Sequence, residues 1–157
     1  MTTDSARDTA TAAGARGDEP ADLGMRLHPR CVVCGRENSQ GLQLRFTLQK
    51  DGSVEGSFDC NTAFEGYPDR LHGGVIALLL DGVMTNCLFA HGREAVTAEL
   101  KIRFRGPVRT DRPARVRGWI ERSAPPLYYL AAQIEQDQEV RAQGTAKFMS
   151  TARAKGR

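Results

Sequence analysis

Little in this 157-residue chain is long, greasy or strongly charged. The formal net charge is only +3, and aromatics make up 6% of residues, so no broad basic surface or aromatic stacking platform for nucleic acid is written into the composition. The densest basic stretch, Arg103 to Arg117, is interleaved with apolar residues, as a solvated strand face is. The longest unbroken apolar run, Val75 to Leu80, falls far short of the ~18 residues of a spanning segment, and the N-terminus has no apolar export core. The expectation is a cytoplasmic protein with neither a membrane nor a nucleic-acid partner. Without an export signal the four cysteines should stay reduced. No glycine-rich phosphate loop of the P-loop or dinucleotide-binding kind occurs, and no G-x-S-x-G nucleophile elbow, which removes the serine-elbow architecture. No cofactor is expected.

What is present suffices for one domain. Residues 1–22 hold hardly any apolar side chains and read as a disordered tail, as do 151–157, which leaves a single domain over 23–150. Inside it, LQLRFTLQ alternates with period two, Asp51-Gly52 makes a turn, and SVEGSFDC returns with Val54, Phe58 and Cys60 on one face, which predicts a hairpin. Four further alternating stretches follow: VTAELKIRFR, ARVRGWIERS, LYYLAAQIEQ and VRAQGTAKFM. Between the second and third strands lies one long apolar helix, Val75 to Phe89. The economical architecture is α+β, a curved antiparallel six-stranded sheet wrapped around that helix.

Asp81 interrupts the helix between Leu78, Leu79, Leu80, Val83 and Met84. An ionised carboxylate buried without partners costs several kcal/mol or takes up a proton. Either it anchors the helix locally, for instance on Thr85 one turn on, or it faces a cleft or subunit interface and works on a substrate there. At the start of the same helix, His72-Gly73-Gly74 leaves two successive positions without Cβ, so a ligand can approach free N–H groups at the positive dipole end and an oxyanion would be stabilised there. The plainer alternative is that the glycines permit close packing and His72 is structural. Eight residues at ~1.5 Å rise set Gly73 and Asp81 roughly 12 Å apart, too far for one carbonyl to touch both. If both act on one group, Asp81 must come from a second copy with its helix reversed, which a two-fold dimer supplies.

These residues resemble the hotdog-fold acyl-CoA thioesterases of the phenylacetate-degradation type. The likeness covers roughly residues 31–149 and is carried by GYPDRLHGGVIALLLDGVM, by AVTAELKIRFRGPV and by the leading CVVCGRENSQGLQL. It implies a hotdog fold and hydrolysis of an acyl-CoA thioester in a homo-oligomer, a dimer with shared sites or a tetramer. Gly73 would hold the thioester oxygen with Gly74 beside it, His72 would help position the group, and Asp81 of the partner chain would activate water or attack directly. Thr97 stands where relatives carry a small hydroxyl residue that assists the water, although strict alternation places it with Glu99 and Lys101, away from the core. Many relatives have Asn or Gln six residues before the histidine; here that position is Gly66, which leaves the contact missing or supplied by Glu65 or Asn61. Gly82 follows Asp81 where this subset commonly has Glu, and is read as room for an acyl chain.

Arg103 and Arg105 could meet the phosphates of coenzyme A, or be solvated strand ends. Phe64, Tyr67, Met84, Leu88 and Phe89 hint at an apolar acyl group. His28, Cys31 and Cys34 spell H-x2-C-x2-C, half of a zinc knuckle, but a closed site needs four ligands and the remaining cysteines, Cys60 and Cys87, form no second pair. The expectation is no metal. The rival to hydrolysis is a non-catalytic hotdog module that carries or senses an acyl-CoA at the same interface; a hotdog dehydratase is a third reading.

Overall fold

The structure, a computed structural model, describes residues 20–151. The predicted tails lie outside them except at their inner edges, where a short helix α1 (Pro20–Leu27) begins. Six strands form one antiparallel sheet: β1 (Thr47–Leu48), β2 (Val54–Phe58), β3 (Ala95–Phe104), β4 (Ala114–Ala124), β5 (Leu127–Gln136) and β6 (Glu139–Ser150). Their spatial order is β1-β2-β4-β5-β6-β3. The helix α2 (Gly73–Ala90) carries the chain from β2 across the sheet to its far edge at β3. It lies on the concave face, where Val116, Leu130, Ile134, Ala142 and Phe148 of the strands close over Leu79, Leu80, Val83, Met84 and Leu88. By length and hydropathy alone α2 could cross a membrane, since its one acid barely lowers a mean hydropathy of 1.7. Ten of its residues are instead buried, with the sheet wrapped around it. Thus Met84, Leu88 and Phe89, which the sequence offers as acyl contacts, belong to the core.

The convex face is polar. Arg117 reaches Asp51 and Glu55, and Arg115 reaches Glu55 and Glu135, so cross-strand charges alternate in sign over β2, β4 and β5. Two departures from simple alternation matter. The predicted first strand shrinks to Thr47–Leu48, because Gln43 takes a left-handed φ of 49° and the Leu42 and Leu44 amides donate to the Val32 and Val33 carbonyls instead of to the sheet. In β3 the register against β6 shifts between Thr97 and Glu99, making Ala98 an unpaired bulge residue. A bulge reverses which face each earlier side chain takes.

Candidate active site

The loop before α2 is a clamped turn. Leu71 N–H donates to Val108 O at 2.8 Å, His72 N–H to Phe64 O at 2.8 Å and Gly66 N–H to Arg70 O at 3.0 Å. The Glu65 carboxylate accepts from the Asp69 amide and the Thr110 hydroxyl, both at 3.1 Å, and Asn61 caps the short 3-10 turn Thr62–Phe64 through Ala63 N–H. Both side chains therefore hold the loop, and no hydrogen bond ties either to the helix N-terminus. Gly66 lies close on His72: a Cβ there would sit 3.2 Å from Cδ2 and 3.3 Å from Cα of His72, so a side chain at this position would require His72 to give by a few tenths of an ångström.

The helix start gives its two glycines different tasks. His72 is the N-cap, with φ −61° and ψ 137°, and its Nδ1 accepts from Gly74 N–H at 2.8 Å. An Nδ1 that accepts carries no proton, so the neutral ring is protonated at Nε2. The Gly74 amide is thereby used, while Gly73 N–H donates to no group among the described residues. It is the amide left free at the positive end of α2. Around it opens a cleft of 640 Å³ lined by Tyr67, Arg70, His72, Gly73, Phe104 and Val108 among others. Phe104 is 56% exposed and Tyr67 80% exposed at its mouth. Arg70, overlooked in the sequence although it stands two residues before His72, lines this cleft with no ion pair among the described residues. The basic residues picked from composition lie elsewhere: Arg103 pairs in register with Gln143 on the outer face, and Arg105 Nε donates to Gln143 Oε1 at 2.6 Å.

Asp81 is partly exposed, which corrects the picture of a carboxylate sunk in oil. Helical spacing aligns it with Leu78 and the exposed Gly74 on a strip of α2 that the sheet leaves open. Its Oδ1 accepts from Thr97 Oγ1 at 2.7 Å, and Oδ2 accepts no hydrogen bond among the described residues. Thr85 does bond one turn back, but to the Asp81 carbonyl at 3.0 Å, so the local anchor leaves the carboxylate alone. The bulge at Ala98 explains how Thr97 gets there. Thr97 pairs with the inward-facing Phe148, just as Leu100 pairs with Ala146 and Ile102 with Gly144, so it faces the helix and Val96 faces outward, the reverse of strict alternation.

Gly82 has a definite neighbour. A Cβ there would lie 2.6 Å from Val33 Cγ1, so the notch is filled by this chain's own valine, not by space for an acyl group. Val33 belongs to the CVVC turn, in which Cys31 and Cys34 are free thiols. A hydrogen bond from the Cys34 thiol brings Cys31 down to about 4, and the same contact pushes Cys34 up.

The thioesterase superfamily profile matches residues 69–146, from the turn before α2 through most of β6. A solved thioesterase superfamily protein is 28% identical with a TM-score of 0.71, covering 75% of this chain; the chain spans 62% of that protein's length. A phenylacetic acid degradation-related protein from Ralstonia eutropha is 24% identical (TM-score 0.63, 69% of this chain and 85% of the other). A hypothetical thioesterase from Streptococcus pneumoniae, solved with coenzyme A, is 17% identical (TM-score 0.64, 69% and 85%). No curated protein matches the chain. With the profile seated on the HGG turn, the acid-bearing helix and the strands that wrap it, the chain belongs to the hotdog-fold thioesterase superfamily.

Proposed function

We propose that the chain hydrolyses acyl-CoA thioesters at two equivalent sites of a two-fold dimer, each built from Gly73 of one protomer and Asp81 of the other. The observation that carries this is the pairing of an unused amide with an oriented carboxylate: among the described residues Gly73 N–H has no acceptor, and Thr97 fixes one oxygen of Asp81 while the other has no partner. Lying ~12 Å apart on one helix, they meet on one carbonyl only if α2 is reversed in a neighbour. β3 offers the means. It is a ten-residue strand at the sheet edge, and an edge of that length is a template for pairing. A two-fold through β3 reverses the adjoining helix as well.

In this reading the thioester oxygen sits on Gly73 N–H, where charge developing on it is stabilised. His72 keeps that amide free by capping Gly74, and so acts as a positioning residue. The Asp81 carboxylate either takes a proton from the attacking water or itself attacks the thioester carbon and is released by water. In both cases water is added, the C–S bond breaks and coenzyme A leaves as the thiol. Arg70 is placed to meet phosphate, consistent with the coenzyme A carried by the Streptococcus pneumoniae neighbour. A cytoplasmic location suits both this substrate class and the free thiols.

Thiol release from a panel of acyl- and aryl-acyl-CoAs tests the activity. Hydrolysis of at least one ester is expected, with kcat reduced about 10²–10⁴-fold in Asp81→Asn while the fold is retained. Binding of coenzyme A esters without any thiol release would favour the carrier or sensor reading, which the Gly66 substitution of an amide side chain also suits.

A further inference from the structure

The turn at 28–35 takes no part in the chemistry at Gly73 and Asp81, yet it gathers three donors. One ring nitrogen of His28 and the sulfurs of Cys31 and Cys34 all lie within 4.8 Å of one another. Tetrahedral zinc, with bonds of ~2.3 Å to sulfur and ~2.0 Å to nitrogen, holds its ligand atoms about 3.5–3.8 Å apart, so a contraction of roughly 1 Å completes the set. His28 Nδ1 is buried with no hydrogen-bond partner, an arrangement that costs free energy unless something occupies it. The ring is held edge-on against Phe89, with centroids 4.8 Å apart at 85°.

Each sulfur also accepts a hydrogen bond from a group outside the set. Val33 N–H donates to Cys31 Sγ at 3.4 Å, and Asn86 Nδ2 donates to Cys34 Sγ at 3.4 Å, the outer-sphere bonds that orient thiolate ligands. The turn closes tightly through Gly35 N–H to Cys31 O at 2.8 Å, and a Cβ on Gly35 would fall on the Cys31 backbone.

We propose that His28, Cys31 and Cys34 bind one zinc ion, or a similar thiophilic divalent cation, with water as the fourth ligand. Room for that water lies in the adjoining cleft of 640 Å³, lined by His28, Cys34, Arg45 and Asn86 among others. Expecting no metal rests on demanding four protein ligands, whereas three plus water is an established zinc pattern. The donor set contains no carboxylate, which disfavours magnesium and calcium. Through Val33, the metal-held turn docks in the notch at Gly82, next to Asp81, and so stiffens the helix at the acid.

The test uses the full chain purified without a histidine tag or chelator. About one zinc per chain is expected by elemental analysis. After chelation, added cobalt should give an intense sulfur-to-cobalt absorption with tetrahedral visible bands. Asn86→Ala should weaken cobalt binding about 10–100-fold while leaving every ligand in place. Cys34→Ser should abolish it; if that variant does not fold, the wild-type cobalt spectrum and Asn86→Ala still decide. A folded wild-type chain that carries no metal and takes up no cobalt at micromolar concentration, or that shows a Cys31–Cys34 disulfide as purified, would overturn the proposal.

Discussion

Replacing Gly82 by alanine tests how closely the CVVC turn is seated on α2. The new methyl would lie 2.6 Å from Val33 Cγ1, 3.0 Å from Cγ2 and 3.1 Å from Cβ, where carbon atoms prefer about 3.5–4.0 Å. Val33 is 3% exposed and β-branched, so it cannot swing into solvent and has little χ1 freedom. Alanine gains about 1 kcal/mol in helix propensity over glycine, and overpacking costs about 1–3 kcal/mol, which leaves Gly82→Ala roughly 0–2 kcal/mol less stable. Val33→Ala alone removes two buried methyls at a cost of about 2 kcal/mol. In the double variant the two closest contacts, to the Cγ methyls, are gone, only the 3.1 Å approach to Cβ remains, and the new methyl fills part of the vacancy, so it should lie within about 1 kcal/mol of wild type, some 2 kcal/mol better than the sum of the single effects. Urea unfolding of all four proteins, at one protein concentration because a dimer's stability depends on it, gives the coupling directly. Additivity within about 0.5 kcal/mol would refute the packing and return the space beside Gly82 to the substrate.

Three other outcomes follow from named contacts. Thr97→Val frees the Asp81 carboxylate to rotate and should lower kcat about 10-fold with KM little changed, the equivalent of about 1.4 kcal/mol; steady-state kinetics read the split. Arg70→Ala should raise KM for acyl-CoA several-fold, about 3–10-fold, and leave acyl-pantetheine, which lacks the nucleotide phosphates, unaffected. The Ser53 hydroxyl and amide, then Arg117, hold Asp51 below the usual carboxylate range. A lowered folded value means the stabilisation is complete above the unfolded value of about pH 4 and is lost as pH falls through the lower folded value, so Asp51→Asn should lower the urea midpoint at pH 7 and the difference should shrink as pH falls below about 4.

The strands β2 and β4 to β6 and the long helix are legible because burial on one face imposes period two on a strand and because α2 is enclosed on most sides. What escapes the sequence are events with no period. The bulge at Ala98 leaves no compositional mark, so alternation assigned Thr97 to the wrong face, away from the Asp81 carboxylate that it touches. Helix α1 is eight residues with a central glycine, too short to announce itself; Gly24 packs on Phe89, whose ring meets the Gly24 Cβ position at 3.2 Å. Asp81 looked buried because its neighbours in sequence are apolar, yet a helix lined on nearly every side by a sheet can still show one open strip. Val33 and Gly82 are 49 positions apart, and only the fold reveals that one fills the other.

Chain mixing measures directly whether each site is shared between protomers. Gly73→Pro deletes the free N–H at the first helical position, where proline is well tolerated; His72 already has the extended ψ of 137° that precedes proline, and a Cβ at Gly73 meets only Phe104 at 3.5 Å. Its kcat should fall about 10²–10³-fold. Unfolding Gly73→Pro and Asp81→Asn chains together in equal amounts and refolding them makes half the dimers mixed, each with one intact site, so activity should return to about a quarter of wild type. Recovery to near that level from two nearly inactive parents is the predicted result. A refolded mixture no more active than the average of its parents, with mixed dimers demonstrably present, would contradict it.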